Sequence, residues 1–270
     1  MSRRLDFSYR MELDFSMPAQ NHQFTLRIVP HSDERQQIMA CEFNLEPECE
    51  MHRDTDAFGN TYIYGEAKQQ HERFAVTVKG SAEVDGKRHI SEKSDGDMRF
   101  SHYRFQSQYT KPGDRLLEYY NENKKDAGEN AADYARRLLH AIYTDMEYKQ
   151  SVTDICTTAE EALAKRQGVC QDYAHIMLSL CRIADIPSRY VVGMMMGEGY
   201  SHAWVEIFSD GFWYGMDPTN DKEADDAYIK ISHGRDYKDC IVNRGVFIGG
   251  GEQTQHIQVI VEQSAEMRGK

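Results

Sequence analysis

Apolar and polar residues alternate along several segments of the first third of the chain, as expected for strands with one buried face. The alternation is clearest over residues 11–15, 24–29 and 74–78, and a period of two places successive side chains on opposite faces of a sheet. Residues 84–87 have the composition of a hairpin turn. Strands at short intervals, joined by polar turns, predict an antiparallel, β-sandwich-like domain over residues 1–110.

The pattern changes to a helical period after residues 109–114, where proline and glycine break the alternation and an aspartate can cap a helix. Residues 130–147 form the strongest predicted helix, because their apolar side chains recur every three or four positions. These apolar positions are Ala131, Tyr134, Ala135, Leu138, Leu139, Ile142, Tyr143 and Met146. The sequence therefore predicts a second, mixed α+β domain over residues 111–270.

Another helix is predicted to begin at a cysteine. Residues 157–161 carry a capping-box pattern, so a short helix should run to about Gln167 and end at Gly168. The next helix then starts near Val169 and continues to about Ala184. One face of it is formed by Cys170, Ala174, Met177, Cys181 and Ala184. A thiol in the first turn of a helix lies near the positive end of the dipole and near unpaired N–H groups, which favour the thiolate.

Two of the three strands predicted after this helix form a hairpin, because an Asp-Gly pair separates them. The three strands cover residues 189–194, 200–208 and 212–217. With Asp-Gly as a two-residue loop, Ser209 faces Phe212, and the same register sets Trp204 opposite Asp217. His202 then lies diagonally across from Asp217, at roughly 7–8 Å between backbones, which an imidazole and a carboxylate can bridge. The sequence therefore predicts a His–Asp pair on one face of the sheet.

Cys170, His202 and Asp217 are the candidate catalytic residues. In nucleophilic thiol catalysis a thiolate attacks a carbonyl, a histidine delivers a proton to the leaving amine, and a carboxylate orients and stabilises the imidazolium. The backbone N–H of Cys170 can stabilise the oxyanion. Each residue alone also has a plain structural interpretation, as a small buried cysteine, a histidine on a half-buried strand, and an aspartate that caps a turn. Their order and predicted geometry together favour catalysis.

Composition limits the partners and the location. The chain has 32 basic and 44 acidic residues and a net charge of −12, which argues against binding to nucleic acid or to an anionic membrane. We expect neither a signal peptide nor a membrane span, because no long apolar run is present. The six cysteines are dispersed without a C-x-x-C pair, which indicates reduced thiols in the cytoplasm and no zinc site. The oligomeric state stays open.

Four short motifs surround the candidate residues, at 168–175 (GVCQDYAH), 186–191 (IPSRYV), 201–206 (SHAWVE) and 213–220 (WYGMDPTN). They resemble the transglutaminase-like superfamily, and within it the bacterial branch known as transglutaminase-like cysteine proteases. Three further segments resemble the same branch, so the resemblance spans most of the chain; they are residues 56–60, 233–239 and 244–246. The resemblance implies a papain-like α+β core in which Cys170, His202 and Asp217 form the catalytic triad.

Two features differ from animal-type transglutaminases. Those enzymes use a tryptophan upstream of the cysteine to help stabilise the oxyanion, whereas both tryptophans of this chain lie downstream of Cys170. An upstream tyrosine, Tyr143 or Tyr148, could take that place. The family's calcium sites have no visible counterpart, because the acidic residues within 221–226 lack the spacing of an EF-hand loop and are expected to form a solvated turn. Both differences favour hydrolysis over protein cross-linking.

The sequence thus predicts a cysteine protease or amidase that acts on a peptide or protein substrate through a thioester, without a cofactor. Three alternatives remain open: a protein-glutamine transglutaminase, an N-acetyl transferase or glycan amidase with the same residue order, and a non-catalytic peptide-binding module on the same fold. Metal binding by Cys170 with His202 and His175 is disfavoured, because His175 points well away from the cysteine around the helix.

Overall fold

Two large antiparallel sheets and four α-helices make up the computed structural model, which describes residues 2–92 and 100–265. The chain begins with strands β1 (Arg3–Leu26), β2 (Gln36–Glu46), β3 (Met51–Thr55), β4 (Thr61–Ala67), β5 (His71–Val84) and β6 (Ile90–Ser91). The middle contains α1 (Asp114–Glu122), α2 (Ala131–Asp145), β7 (Glu147–Tyr148), α3 (Ala159–Lys165), β8 (Gln167–Gly168) and α4 (Cys170–Ile183). The remaining strands are β9 (Ser188–Met195), β10 (Gly197–Gly199), β11 (His202–Ser209), β12 (Phe212–Asp217), β13 (Lys222–Glu223), β14 (Tyr228–Gly234), β15 (Asn243–Gly249) and β16 (Gln253–Gln263). Short 3₁₀ turns lie at Ser101–Tyr103 and Tyr237–Asp239.

Strand β1 is the centre of the first sheet and pairs along both of its edges. One edge takes β5 and then β4, and the other takes β16 and then β15. Alternate side chains of β1 are buried; they include Leu5, Phe7, Tyr9, Met11 and Leu13. The predicted strands at residues 11–15 and 24–29 therefore lie largely within one long strand. Its register shifts between Asp14 and Ala19, so the strand bends there without leaving the sheet.

The C-terminal strands return to this first sheet. β16 pairs with β1 from Leu5 to Phe15, and β15 pairs with it from Ala19 to Leu26. β10, from the middle of the chain, pairs with the outer edge of β16. The sequence grouped β15 and β16 with the second domain, because the alternation within a strand does not reveal a partner at the other end of the chain.

The second sheet carries the helices. Its strand order is β13-β12-β11-β9-β14, with β6 paired to β12, and α2 and α4 share a buried core with β9, β11 and β12. The predicted hairpin register is confirmed, since Ser209 pairs with Phe212 and Val205 with Met216. This α+β core with an N-terminal β domain confirms the predicted fold class. Within residues 2–92 and 100–265, no helix combines the length and the hydropathy needed to cross a membrane.

The predicted capping box at the start of α3 is present, between Thr158 and Glu161. The prediction that Gly168 ends this helix is wrong. Arg166 is the C-terminal cap instead and adopts the left-handed conformation, at φ 52°. Gly168 lies in β8, which pairs in parallel with β7. A side chain at this position would collide with the carboxylate of Asp172.

Two side-chain amides of the N-terminal β domain hold the edge strand β14. The Asn60 amide donates to the carbonyl of His233 at 2.7 Å and accepts from its backbone N–H at 2.8 Å. Gln36 makes the same two bonds with Lys230, both at 2.8 Å. Each amide satisfies a backbone donor and acceptor that an adjacent strand would otherwise pair. These four bonds tie the two sheets together.

A buried ion cluster lies on the second sheet beside this contact. Glu206 accepts from Arg189 at 2.6 Å and from Lys230 at 2.8 Å, and all three side chains are buried. Burial alone would raise the pKa of Glu206, but the two cations outweigh it and lower the pKa to about 2. The guanidinium of Arg189 also stacks over Trp213, 4.0 Å from the ring centre.

Candidate active site

Cys170 is the first residue of α4 and is half-buried. The first N–H groups of a helix have no intrahelical partner, so the cysteine lies among free backbone donors at the positive end of the dipole. This helix start is held by Asp172, whose Oδ2 accepts from the N–H of Val169 at 2.8 Å and from the hydroxyl of Thr153 at 2.7 Å. A Cβ on Gly168 would stand 2.5 Å from the same Oδ2, which explains the glycine before the cysteine helix.

His202 and Asp217 form the pair that the hairpin register predicted. His202 is the first residue of β11 and Asp217 the last of β12. Nε2 of the imidazole lies 2.7 Å from Oδ2 of the carboxylate. Both side chains are buried, and Asp217 is 0% exposed. Since Nε2 is bound to the carboxylate, Nδ1 is the ring nitrogen left for Cys170, which is close enough to raise the pKa of the imidazole.

The electrostatics of this group favour a charged imidazole. Burial alone would lower the pKa of His202, but hydrogen bonds to Asp217 and Cys170 and the charges of both groups raise it to about 10. For Asp217, burial acts to raise the pKa, and the bond and charge of His202 reverse this and lower it. The arrangement therefore stabilises an imidazolium that is bound to Asp217 and lies beside Cys170, which provides the proton donor that nucleophilic thiol catalysis needs.

Three further donors complete the surroundings of the Asp217 carboxylate. The backbone N–H of Thr219 donates to Oδ1 at 2.9 Å, while the Asn220 amide and the Tyr228 hydroxyl each donate to Oδ2 at 2.7 Å. Asn220 belongs to the motif at residues 213–220, but that motif by itself assigns no role to its amide. Tyr228 was missed, because no local pattern links a tyrosine at the start of β14 to the end of β12.

Tyr148 is the better placed of the two tyrosines considered as oxyanion donors. In the β7–β8 pair it lies opposite Gly168, two residues before Cys170. Burial, and then the negative charge of Cys170, raise the pKa of Tyr148, so its hydroxyl stays a donor near the thiolate. Tyr143 lies near the end of α2, and none of its contacts among the described residues links it to Cys170. Exposure does not separate the two tyrosines, at 46% for Tyr143 and 51% for Tyr148.

The three residues considered for metal binding do not form one site, because His175 lies apart from Cys170 and His202. Across residues 2–92 and 100–265, no group of three or more His, Cys, Asp or Glu side chains has the geometry to hold an ion. His175 is buried in α4, where its Nε2 accepts from the N–H of Tyr237 at 3.2 Å. Two acidic residues of the 221–226 segment have basic side chains as partners: Asp221 contacts the His140 ring at 2.8 Å and Asp225 contacts Lys222 at 3.4 Å.

Comparisons with known proteins agree with this architecture. Residues 97–218 match the Transglutaminase-like superfamily, and residues 5–83 match the Bacterial transglutaminase-like N-terminal region. An uncharacterised protein of Mycobacterium leprae is 28% identical over 259 residues, which cover 87% of this chain and 89% of that protein. One of Mycobacterium bovis is 34% identical over 135 residues, which cover 44% of this chain and 43% of that protein.

A solved structure extends the likeness to the whole fold. The crystal structure of a candidate cysteine protease from Cytophaga hutchinsonii superimposes with a TM-score of 0.79 at 21% identity, covering 98% of this chain and 92% of that one. At this identity the likeness concerns the fold alone. Together with the two sequence matches, which cover the N-terminal β domain and the helix–sheet core, it supports one conclusion. The chain belongs to the transglutaminase-like superfamily, with a bacterial transglutaminase-like N-terminal region before its core.

Proposed function

We propose that this protein is a cysteine-nucleophile acyl-transfer enzyme that hydrolyses peptide or carboxamide bonds, with Cys170, His202 and Asp217 as its triad. The observation that carries the proposal is the buried imidazole, bound at 2.7 Å to Asp217, whose pKa is raised by Asp217 and by a cysteine at a helix start. This is the arrangement that nucleophilic thiol catalysis requires.

In the first half-reaction, the Cys170 thiolate attacks the substrate carbonyl carbon and forms a C–S bond. The oxyanion accepts from the N–H of Cys170 and from the hydroxyl of Tyr148. As the C–N bond breaks, the imidazolium of His202 gives its proton to the departing amine or ammonia. The thioester and a neutral imidazole remain.

In the second half-reaction, His202 takes a proton from water, which attacks the thioester carbonyl. The C–S bond breaks, the carboxylic acid leaves, and the thiolate–imidazolium pair is restored. An amine in place of water would give transamidation from the same thioester, and access of water to the thioester decides between the two. The substrate class that fits this chemistry is a polypeptide or another carboxamide.

The test compares the wild type with Cys170→Ala on a peptide library, with and without a primary amine. We expect cleavage or deamidation by the wild type, no turnover by Cys170→Ala, and full turnover by the control Cys156→Ala, which removes an exposed thiol. Incorporation of the amine would identify a transglutaminase instead. The mass of a thioester trapped on Cys170 would reveal N-acetyl transfer or glycan-amide cleavage.

A binding module without catalysis is distinguished by thiol reactivity. With iodoacetamide near pH 6, Cys170 should be alkylated far faster than Cys41, because burial raises the pKa of the Cys41 thiol. Equal rates, together with no turnover, would contradict the enzymatic proposal. We also propose a cytoplasmic location, supported by six free cysteines; cell fractionation tests it.

A further inference from the structure

A buried tyrosine hydroxyl competes with the catalytic histidine for one carboxylate oxygen. The Tyr228 hydroxyl, the Asn220 amide and Nε2 of His202 all lie 2.7 Å from Oδ2 of Asp217. A carboxylate oxygen has about two lone-pair sites, so three donors at one oxygen weaken one another. We propose that Tyr228 is a positioning residue of the proposed active site, which shares the Asp217 carboxylate with His202 and limits how tightly that carboxylate holds the imidazolium. The inference rests on the proposed function.

The hydroxyl of Tyr228 is a fixed donor. The side chain is 1% exposed, and its ring meets Trp204 edge to face with ring centres 5.4 Å apart. Burial, and then the charge and hydrogen bond of Asp217, raise the pKa of Tyr228 far above its usual value. The hydroxyl therefore stays protonated above the pH at which an ordinary tyrosine ionises, and it donates to Asp217.

The charged and titratable groups around the histidine come from three elements, α4, β12 and β14. Cys170 reaches it from α4 and Asp217 from β12, while Tyr228 belongs to β14. On the far side of the tyrosine, the ammonium of Lys222 lies 4.9 Å from its ring centre, and Asp225 acts on the same hydroxyl. Among these groups, Tyr228 is the one that donates to the same Asp217 oxygen as the imidazole.

The consequence for catalysis follows from the direction of the hydroxyl dipole. Its positive end reduces the negative potential at Oδ2, so the imidazolium is held less strongly than it would be by an unshared carboxylate. His202 must release its proton to the leaving amine in every turnover. Tyr228 thus keeps the histidine a usable acid while the carboxylate still orients the ring.

The experiment is the variant Tyr228→Phe, with His202 followed by ¹⁵N-histidine NMR from pH 5 to pH 11. We expect the pKa of His202 to rise by about half to one pH unit, because the carboxylate loses a competing donor. On a peptide that the wild type cleaves, kcat should fall about threefold to tenfold while KM is unchanged. The matched control is Tyr134→Phe, since this buried tyrosine on α2 has a hydroxyl without a hydrogen-bond partner among the described residues.

An unchanged or lowered pKa of His202 in Tyr228→Phe would overturn the inference. If that variant does not fold, 3,5-difluorotyrosine can replace Tyr228, because it keeps the ring and makes the hydroxyl a stronger donor. It should lower the pKa of His202, and a rise in that pKa would overturn the inference. The NMR titration needs no substrate. A wild type without turnover but with the expected shift would therefore reject the proposed function and leave the role of Tyr228 intact.

Discussion

Replacing Asp217 with asparagine tests the electrostatics of the proposed triad directly. The amide keeps the shape of the side chain and can still accept from His202, but it removes a charge that is 0% exposed. In the wild type, the bonds and charges of Asp217 and Cys170 overcome the effect of burial and raise the pKa of His202 from 6.5 to about 10. At about 1.36 kcal/mol per pH unit, this difference of about 3.5 units favours the imidazolium by about 5 kcal/mol.

We expect Asp217→Asn to lower the pKa of His202 by about two pH units, because a close opposite charge shifts a pKa by roughly one to three. A histidine whose pKa is raised by folding adds stability that is fully present below pH 6.5 and is lost as the pH rises through about 10. The free energy of unfolding of the variant should therefore fall furthest below that of the wild type at about pH 6, and the deficit should shrink towards pH 10.

Two measurements check this, ¹⁵N-histidine NMR for the pKa and urea unfolding at several pH values for the stability. The matched control is Asp210→Asn, because this exposed residue in the loop of the same hairpin undergoes the same change of charge. A pKa of His202 within half a unit of the wild-type value, or a deficit independent of pH, would refute the reasoning.

Two further changes test the supports of the site. Gly168→Ala places a Cβ 2.5 Å from Oδ2 of Asp172 and should displace the carboxylate that holds the start of α4. We therefore expect the free energy of unfolding in urea to fall by about 1–3 kcal/mol and the alkylation of Cys170 to become slower. An unaltered alkylation rate would contradict this. Glu206→Gln leaves two buried cations without their carboxylate and should lower the free energy of unfolding by about 3–5 kcal/mol at pH 7. Because the pKa of Glu206 is lowered to about 2, its contribution is present above about pH 4.5 and lost as the pH falls through 2; a neutral effect at pH 7 would reject the ion cluster as a support.

Local patterns predicted the parts of the site that local geometry controls. A two-residue Asp-Gly loop leaves one register for the hairpin, and that register brought His202 within 2.7 Å of Asp217. The helix that starts at Cys170 was predicted to within one residue at each end, because its apolar period and its preceding break lie in adjacent residues. Gly168 was wrongly predicted to cap α3, because a glycine that follows a helix is commonly its C-terminal cap. In the structure, the position requires a glycine because a side chain would collide with Asp172.

The sequence by itself determined the fold class, the hairpin register and the helix-start cysteine, because each depends on residues a few positions apart. Only the tertiary structure decided that β15 and β16 join the first sheet, that Asn60 and Gln36 hold the edge of β14, and that Tyr228 shares the carboxylate of Asp217. These contacts join elements whose alternation of apolar and polar residues is compatible with many different partners. Their choice is made by the packing of two sheets and by the pairing of buried backbone donors and acceptors, such as those of Lys230 and His233.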